Sequence, residues 1–505
     1  MQLLRLGFRK GDFFATSLPF LREHILLEYA CFRIGVIHAP LDLRLSAADV
    51  VKCVARVGAR GYCFLGQTRS ADFRTLGRAV KENCPSVRQL IQMSPIEETI
   101  PEAIPFAVLA QRAQAPTSDL RGALLEATAA VGEEDGAQVI FTTGSTGSPK
   151  PALLSHRSIT VQNMCIGAAF FREDSRVLVN LPPSHVGGQA ELFMTTLFCG
   201  GTAVVLEIFD PVRSLDAIEQ RRVTLIGQIP AMFTLEWRTA GYGERDLSSL
   251  ETVVYGGQQV PEPFLEKLAQ MAPAIGTGLG LTEASGFCTY TPRADSAAVL
   301  AASIGRDMPV YRMTIRGPMR EGGSAGDVLP AGETGHVCFE GPQTFLGYVG
   351  ASEATAKALS RDGVLYTGDM GYADEAGLHF SGRSSWVMKP RGYQVFPAEV
   401  EGHFAALSEQ VASCGVVSVE HRIFSEGIVA FVEKKPGAEL TIADLKRHAR
   451  SMTGYTRPNH YVILEPGEMP LNRVAKTDYL KLMEMARAEV DGLRAARKWD
   501  RVAAD

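Results

Sequence analysis

The stretch Ile140-Phe141-Thr142-Thr143-Gly144-Ser145-Thr146-Gly147-Ser148-Pro149-Lys150 decides the reading of this chain. A short apolar run ends at Phe141 and gives way to glycines, hydroxyl side chains and one lysine. Glycine lets backbone N–H groups approach an anion closely, and successive N–H groups form a concave anion cradle. Ser145, Thr146 and Ser148 add donors and Lys150 adds charge, a composition suited to a polyphosphate. The spacing is not the GxxxxGK[ST] of the commonest nucleotide loop. A loop of Gly, Ser, Thr and Pro is also what an ordinary turn looks like.

Outward from this loop, apolar runs alternate with helical patterns. Gln138 to Phe141, Val177 to Leu181, Ala203 to Leu206, Thr224 to Ile226 and Thr252 to Tyr255 read as buried strands. Leu21 to Ile34 reads as a helix stopped by Gly35, with Leu21, Ile25, Tyr29 and Phe32 at helical spacing. Such alternation predicts an α/β fold, parallel sheets with helices packed on them. After Gly317 the glycines crowd together, which suits a smaller β-rich subdomain. A boundary is expected near Arg383 to Val387, dividing a domain of residues 1–383 from one of 384–505. The latter is again α+β: Ile428 to Glu433 and Tyr461 to Leu464 are strand-like, Thr441 to Asp444 resembles a capping box, and Thr477 to Trp499 is helical.

The chain's 505 residues suit a large domain plus a small one. Apolar residues at 46% and charged residues at 21% are ordinary for a globular enzyme. A net charge of −5 gives no case for nucleic acid or an anionic membrane as partner. The ten histidines show no metal-ligand spacing, and the nine cysteines, an odd count without a CxxC pair, read as reduced and mostly buried. No signal peptide or apolar run of spanning length is seen, so a cytoplasmic location is expected.

Further motifs stand in order along the chain. They are Asn180 to Gly188 with His185, Tyr255-Gly256-Gly257-Gln258, and Gly278-Leu279-Gly280-Leu281-Thr282-Glu283. Gly332 to Gly335 and Gly341 to Tyr348 read as structural turns. Tyr366-Thr367-Gly368-Asp369, Gly382-Arg383, Lys389 to Glu401 and Pro470 to Lys476 follow. With the Thr142–Lys150 loop, this series resembles the adenylate-forming superfamily: acyl-CoA ligases, carrier-protein adenylation domains and luciferases. The resemblance runs from about Arg5 to Leu482; the family's first few dozen residues would lie before Met1.

The resemblance implies a large domain that binds ATP and a carboxylic acid, and a small mobile lid domain carrying a catalytic lysine. Thr142, Thr143, Gly144, Ser145, Thr146, Gly147 and Lys150 would cradle the phosphates of ATP. Gly256, Gly257, Gln258, Gly278 and Leu279 would border the adenine, Asp369 the ribose, and Arg383 the ribose or a phosphate. Thr282 would contact the α-phosphate and Glu283 would help hold Mg²⁺. His185 and Gly280 would line the acid pocket. Lys476 would catalyse adenylation, with Lys389 and Gln394 taking part as in coumarate-type ligases. Arg391, Gly392 and Tyr393 would line the channel for coenzyme A, and Ser385 would mark the hinge.

Four positions depart from the family pattern: Pro151 and Ala475 replace glycines, Leu279 a tyrosine, and Ser385 a charged residue. Pro151 implies a stiffer loop. Leu279 and the Gly392-Tyr393-Gln394-Val395 run point toward ligases of aryl acids, of benzoate, aminobenzoate or cinnamate type, with a medium-chain fatty acid as the other open substrate. The expected activity is formation of an acyl-adenylate followed by transfer to coenzyme A. Loading of a carrier protein is the alternative acceptor, and a nucleotide-binding regulator without catalysis the alternative class.

Overall fold

The computed structural model describes residues 1–500 apart from 70, 113–117, 143–148, 259, 295, 391–392, 394 and 473–475; of residues 111, 112 and 385 only the backbone is described. The chain divides into two compact units. The first comprises Met1–Thr314, Met319–Gly326 and Cys338–Thr367, the second Ile315–Pro318, Asp327–Val337 and Gly368–Asp505.

The first unit contains a five-stranded sheet in the order Ala274–Thr277, Thr252–Tyr255, Leu225–Gln228, Arg176–Val179, Thr202–Val205. Every neighbouring pair is parallel. These strands are near-continuous apolar runs because helices cover both faces. Leu178, Ile226, Val253 and Ile275 lie in one core with Leu215 and Ile218 of helix Pro211–Arg221 and Leu265 and Leu268 of helix Glu262–Ala269. In an open parallel sheet, ligands gather beyond the carboxyl ends of the strands. Here Tyr255 and Thr277 stand in register, so the Gly256-Gly257-Gln258 and Gly278-Leu279 segments leave the sheet side by side.

An eight-stranded sheet has the order Gly347–Tyr348, Lys150–Ser155, Gly136–Thr142, Ile37–Pro40, Phe13–Ser17, Gly61–Leu65, Gln89–Met93, Ile104–Pro105. Strands Gly136–Thr142 and Lys150–Ser155 pair antiparallel, Thr142 opposite Lys150, so the glycine loop is the connection of a hairpin. Gly347–Tyr348, expected among the turns of a β-rich subdomain, instead pairs with Lys150–Ser155 and carries that chain segment to the loop. Pro151 sits inside this ladder. Its carbonyl accepts from the Val349 N–H at 2.9 Å, and the N–H that proline lacks points to the same edge, toward the short two-residue strand. Pairing with Phe141 on the other edge is therefore kept.

The second unit holds the hairpin of Leu365–Asp374 and Gly377–Arg383 from Gly368 onward, and a three-stranded sheet of Val411–His421, Ser425–Lys434 and His460–Leu464. Its helices are Pro397–Ala405, Ile442–His448 and Tyr479–Ala495. The capping box read at Thr441–Asp444 is present, with reciprocal bonds between the two residues. Val400, Phe404, Val416, Ile428, Ala430 and Leu445 form one of its cores. The nine cysteines are all free thiols, seven of them buried. No described helix is long and apolar enough to cross a membrane.

Candidate functional site

Thr282 and Glu283 occupy a single 3-10 turn, Thr282–Ala284, inserted between the paired dipeptides Gly280–Leu281 and Gly286–Phe287. Ser285 closes it in the left-handed region at φ 59°, strain that a non-glycine residue bears only where its surroundings enforce it. Those surroundings are visible. The Ser285 hydroxyl donates to Ser158 Oγ at 3.0 Å, and the Gln343 amide donates to the carbonyls of Ala284 and Phe287 at 2.8 and 2.5 Å. The Phe345 N–H donates to the Glu283 carbonyl at 2.9 Å.

The Glu283 carboxylate accepts from the Tyr348 hydroxyl, and the Lys150 ammonium lies 5.6 Å from the centroid of the same tyrosine ring. Tyr348 thus links the lysine at the end of the glycine loop to the carboxylate of the Thr282–Glu283 turn. Tyr348 and Gln343 fall in the segment read from sequence as structural turns. Their role becomes visible only through the pairing of Gly347–Tyr348 with Lys150–Ser155. Thr142 and Lys150 lie at the two ends of the loop; Thr143, Gly144, Ser145, Thr146 and Gly147 lie outside the described residues.

Gly278 is set by contact rather than by dihedral: a Cβ there would stand 1.9 Å from the Thr289 carbonyl oxygen. The Phe287 ring lies against Gly256, Gly278 and Gly280, within 3.1 Å of where each would carry a Cβ. Phe287 is a further residue that sequence reasoning missed, since an isolated phenylalanine carries no motif. Leu279 is held by bonds from Cys288 N–H to its carbonyl at 2.8 Å and from its own N–H to Thr289 Oγ1 at 2.8 Å.

His185 is exposed, and its Nδ1 accepts from the Gly187 N–H at 3.0 Å, which puts its ring proton on Nε2. Gly187 opens a wide helical turn, Gly187–Met194, of the i→i+5 type that recurs at functional sites. Behind it lies a buried network absent from the sequence reading. Glu28 accepts from Gln189 Nε2 at 2.6 Å, Gln138 Nε2 at 2.7 Å and His38 Nδ1 at 2.9 Å. His24, Glu28 and His38 come close enough to suit a metal ion although their sequence spacing gave no such sign. Both His38 nitrogens already have partners, Glu28 and the Thr16 hydroxyl at 3.0 Å. Burial pushes both histidines below their ordinary range, to about 4 for His24 and about 3 for His38, so they are neutral.

In the second unit, Asp369 and Arg383 are opposite each other on the hairpin, with Arg383 Nε 2.8 Å from Asp369 Oδ1. Asp369 is 2% exposed, whereas half of the Arg383 side chain is exposed. The Lys476 ammonium has its pKa lowered first by burial and then by Arg383, while Asp369 raises it. Thus the lysine, arginine and aspartate singled out from three separate motifs share one electrostatic neighbourhood. A small loop presents Lys476: its N–H donates to Asn472 Oδ1 at 3.1 Å, and its carbonyl accepts from the Asn472 N–H at 2.7 Å. Lys389 is exposed, and its N–H donates to Glu426 at 2.8 Å. Tyr393 is exposed and stacks on Tyr455 at 4.3 Å between centroids. Ser385 falls in the turn Ser384–Trp386; Arg391, Gly392, Gln394 and Ala475 lie outside the described residues.

The AMP-binding enzyme family matches residues 1–349, and the AMP-binding enzyme C-terminal domain matches residues 399–476. A Mycobacterium tuberculosis CoA ligase, named for an octahydroindenyl-propanoyl substrate, is 28% identical, covering 96% of this chain and 90% of its own. A feruloyl-CoA synthase of Amycolatopsis sp is 29% identical over 90% of this chain and 84% of its own. Among solved structures, the amide bond synthetase McbA from Marinactinospora thermotolerans shares the fold with a TM-score of 0.81 at 24% identity, over 96% of this chain and 92% of that one. The chain belongs to the AMP-binding enzymes, and is an adenylate-forming enzyme of the acyl-CoA ligase type.

Proposed function

We propose that this enzyme activates an aryl carboxylic acid with ATP to an acyl-adenylate, releasing pyrophosphate, and then transfers the acyl group to the thiol of coenzyme A. The observation that carries the reading is the shared neighbourhood of Lys476, Asp369 and Arg383, because it sets a cation beside the carboxylate suited to a ribose. A carboxylate offers two acceptor oxygens for two vicinal hydroxyls.

In the first half-reaction the acid's carboxylate oxygen attacks the α-phosphorus and the bond to pyrophosphate breaks. Negative charge builds on the α-phosphoryl oxygens, so positioned positive charge lowers the barrier. Lys476 supplies it, and the Thr142–Lys150 loop holds the departing pyrophosphate. The hydroxyl of Thr282 contacts the α-phosphate. Glu283 fits a magnesium ion: it offers carboxylate oxygens, the hard ligands magnesium prefers, is only half-buried, and is oriented by Tyr348. Bound there with ATP, the ion would neutralise phosphate charge. In the second half-reaction the thiol attacks the acyl carbon and AMP leaves. The face around Arg391, Gly392 and Tyr393 serves this step, with Lys389 and Gln394, and the C-terminal domain turns about the Ser384–Trp386 segment between the steps.

Leu279, a half-buried aliphatic beside the adenine segment, and the sequence around Tyr393 support the aryl assignment. The test is acid-dependent pyrophosphate release over a panel of aryl and aliphatic acids, followed by addition of coenzyme A alone. Aryl preference and discharge of the adenylate by coenzyme A are expected. An adenylate that only a carrier protein discharges would overturn the acceptor, and absence of release with every acid would overturn the activity.

A further inference from the structure

Glu28 belongs to none of the motifs, yet its carboxylate joins segments far apart in the chain. It lies on helix Arg22–Arg33 and is fully buried. Its two oxygens face two different elements. Oε1 receives the Gln138 amide at 2.7 Å and the His38 Nδ1–H at 2.9 Å, and both donors stand on the eight-stranded sheet. They are register partners on neighbouring strands, so this oxygen is anchored to the sheet. The Thr16 hydroxyl donates to His38 Nε2 at 3.0 Å, which leaves the ring proton on Nδ1 for Glu28. Oε2 receives the Gln189 amide at 2.6 Å. A carboxylate is an acceptor-only group, which suits three N–H donors arriving at once.

Gln189 carries the connection onward. It is fully buried in the wide turn Gly187–Met194, and its own N–H donates to the His185 carbonyl at 3.0 Å. One residue therefore bridges the two: Glu28 holds the side chain of Gln189, and the backbone of Gln189 holds His185. Gln189 Oε1 has no partner among the described residues, so the side chain is oriented through Nε2 and Glu28. Beside it, a Cβ at Gly188 would stand 2.5 Å from the Pro182 carbonyl oxygen and 2.6 Å from that of Leu181. The turn thus lies directly on the backbone of the Asn180–Gly188 motif, and a shift of Gln189 moves that motif with it.

We infer that Glu28 is a positioning residue for the acid substrate: through Gln189 it fixes the wide turn Gly187–Met194, and with it His185, against the eight-stranded sheet. The inference rests on the reading of the chain as an acid-activating ligase with His185 at the acid pocket. Misplacing a reacting group by about 1 Å can cost on the order of 10² in rate, even when the altered residue is remote. The nucleotide side depends on other bonds. Strand Gly136–Thr142 is held to Lys150–Ser155 by its backbone ladder, and the Thr282–Ala284 turn by Ser285, Gln343 and Phe345. Loss of the Glu28–Gln189 bond therefore falls on the acid.

Steady-state pyrophosphate release, with the wild type's best acid and ATP varied in turn, tests it; thermal unfolding is run on every variant. Gln189→Met removes the donor at similar volume and is expected to lower kcat/KM for the acid about 10- to 100-fold, with the KM for ATP changed less than about 3-fold. Gln138→Met removes the other amide from the same carboxylate on the sheet side. It is expected to lower the melting temperature comparably, with a far smaller loss in kcat/KM for the acid. The exchange of Glu28→Gln together with Gln189→Glu places the donor on residue 28 and the acceptor on residue 189, while the oxygen facing Gln138 and His38 is kept. It is expected to return kcat/KM for the acid to within about 3-fold of the wild type. Gln189→Asn, whose amide falls one methylene short, takes the place of Gln189→Met if that variant does not fold, with the same loss expected. Equal losses for acid and ATP, equal acid losses in the Gln138 and Gln189 variants, or no recovery in the exchange overturns the inference and leaves the ligase reading intact. Absence of release by the wild type with every acid overturns both.

Discussion

The Tyr348 hydroxyl donates to the Glu283 carboxylate, joining a two-residue edge strand to a turn 65 positions earlier in the chain. Glu283 is held in place by this bond and, through its carbonyl, by the Phe345 N–H. A hydrogen bond to a charged group contributes about 1.5–3 kcal/mol. Tyr348→Phe is therefore expected to lower kcat/KM for magnesium-ATP about 10- to 100-fold, with a smaller change for the acid. Steady-state pyrophosphate exchange measures both; equal losses for the two substrates would refute the positioning role.

Lys476→Ala is expected to slow adenylation by a factor on the order of 10²–10³. Thioester formation from a supplied acyl-adenylate should be far less affected, because the charge that lysine stabilises is on the phosphoryl group. Single-turnover assays of each half-reaction separate the two. Equal loss in both would remove Lys476 from its assigned role.

Gly278→Ala sets a methyl group 1.9 Å from the Thr289 carbonyl, a backbone atom that cannot step aside cheaply. Overpacking of this kind costs about 1–3 kcal/mol. The KM for ATP should rise, and the melting temperature fall. Gly243→Ala, whose Cβ would meet nothing within 4 Å, is the control and should change neither.

Glu401 predicts a pH dependence. Burial pushes its carboxyl up to about 7, although Tyr479 Oη and the Val416 N–H both donate to it, at 2.7 and 2.8 Å. A carboxyl with a folded pKa above its unfolded value of about 4.5 contributes stability that is full below that value. That contribution is lost as pH rises through about 7, at up to about 1.4 kcal/mol per pH unit. Glu401→Gln keeps the acceptor oxygen and removes the titration. Thermal unfolding from pH 5 to pH 8 should show the variant gaining on the wild type as pH rises; a constant difference would be the contrary result.

Much of the fold follows from local pattern. The strand Thr252–Tyr255 was readable to the residue because four β-prone residues end at two glycines, and the Thr441 cap because its bonds span only three residues. Boundaries shifted where apolar runs continue past the sheet, as at Leu181 beyond strand Arg176–Val179. The Gly347–Tyr348 strand was not readable, since a two-residue strand has no period and exists only through its partner.

By itself, then, the sequence determined the class of chemistry. A glycine–hydroxyl–lysine loop, an acid after a threonine, an aspartate after a glycine and a late lysine come in a fixed order, and each advertises its chemistry by residue type. Tertiary structure alone decided what orients and surrounds them. Tyr348 meets Glu283, and Phe287 underlies three glycines. These side chains act through contacts between segments tens of residues apart or more, and no spacing along a chain encodes such a contact.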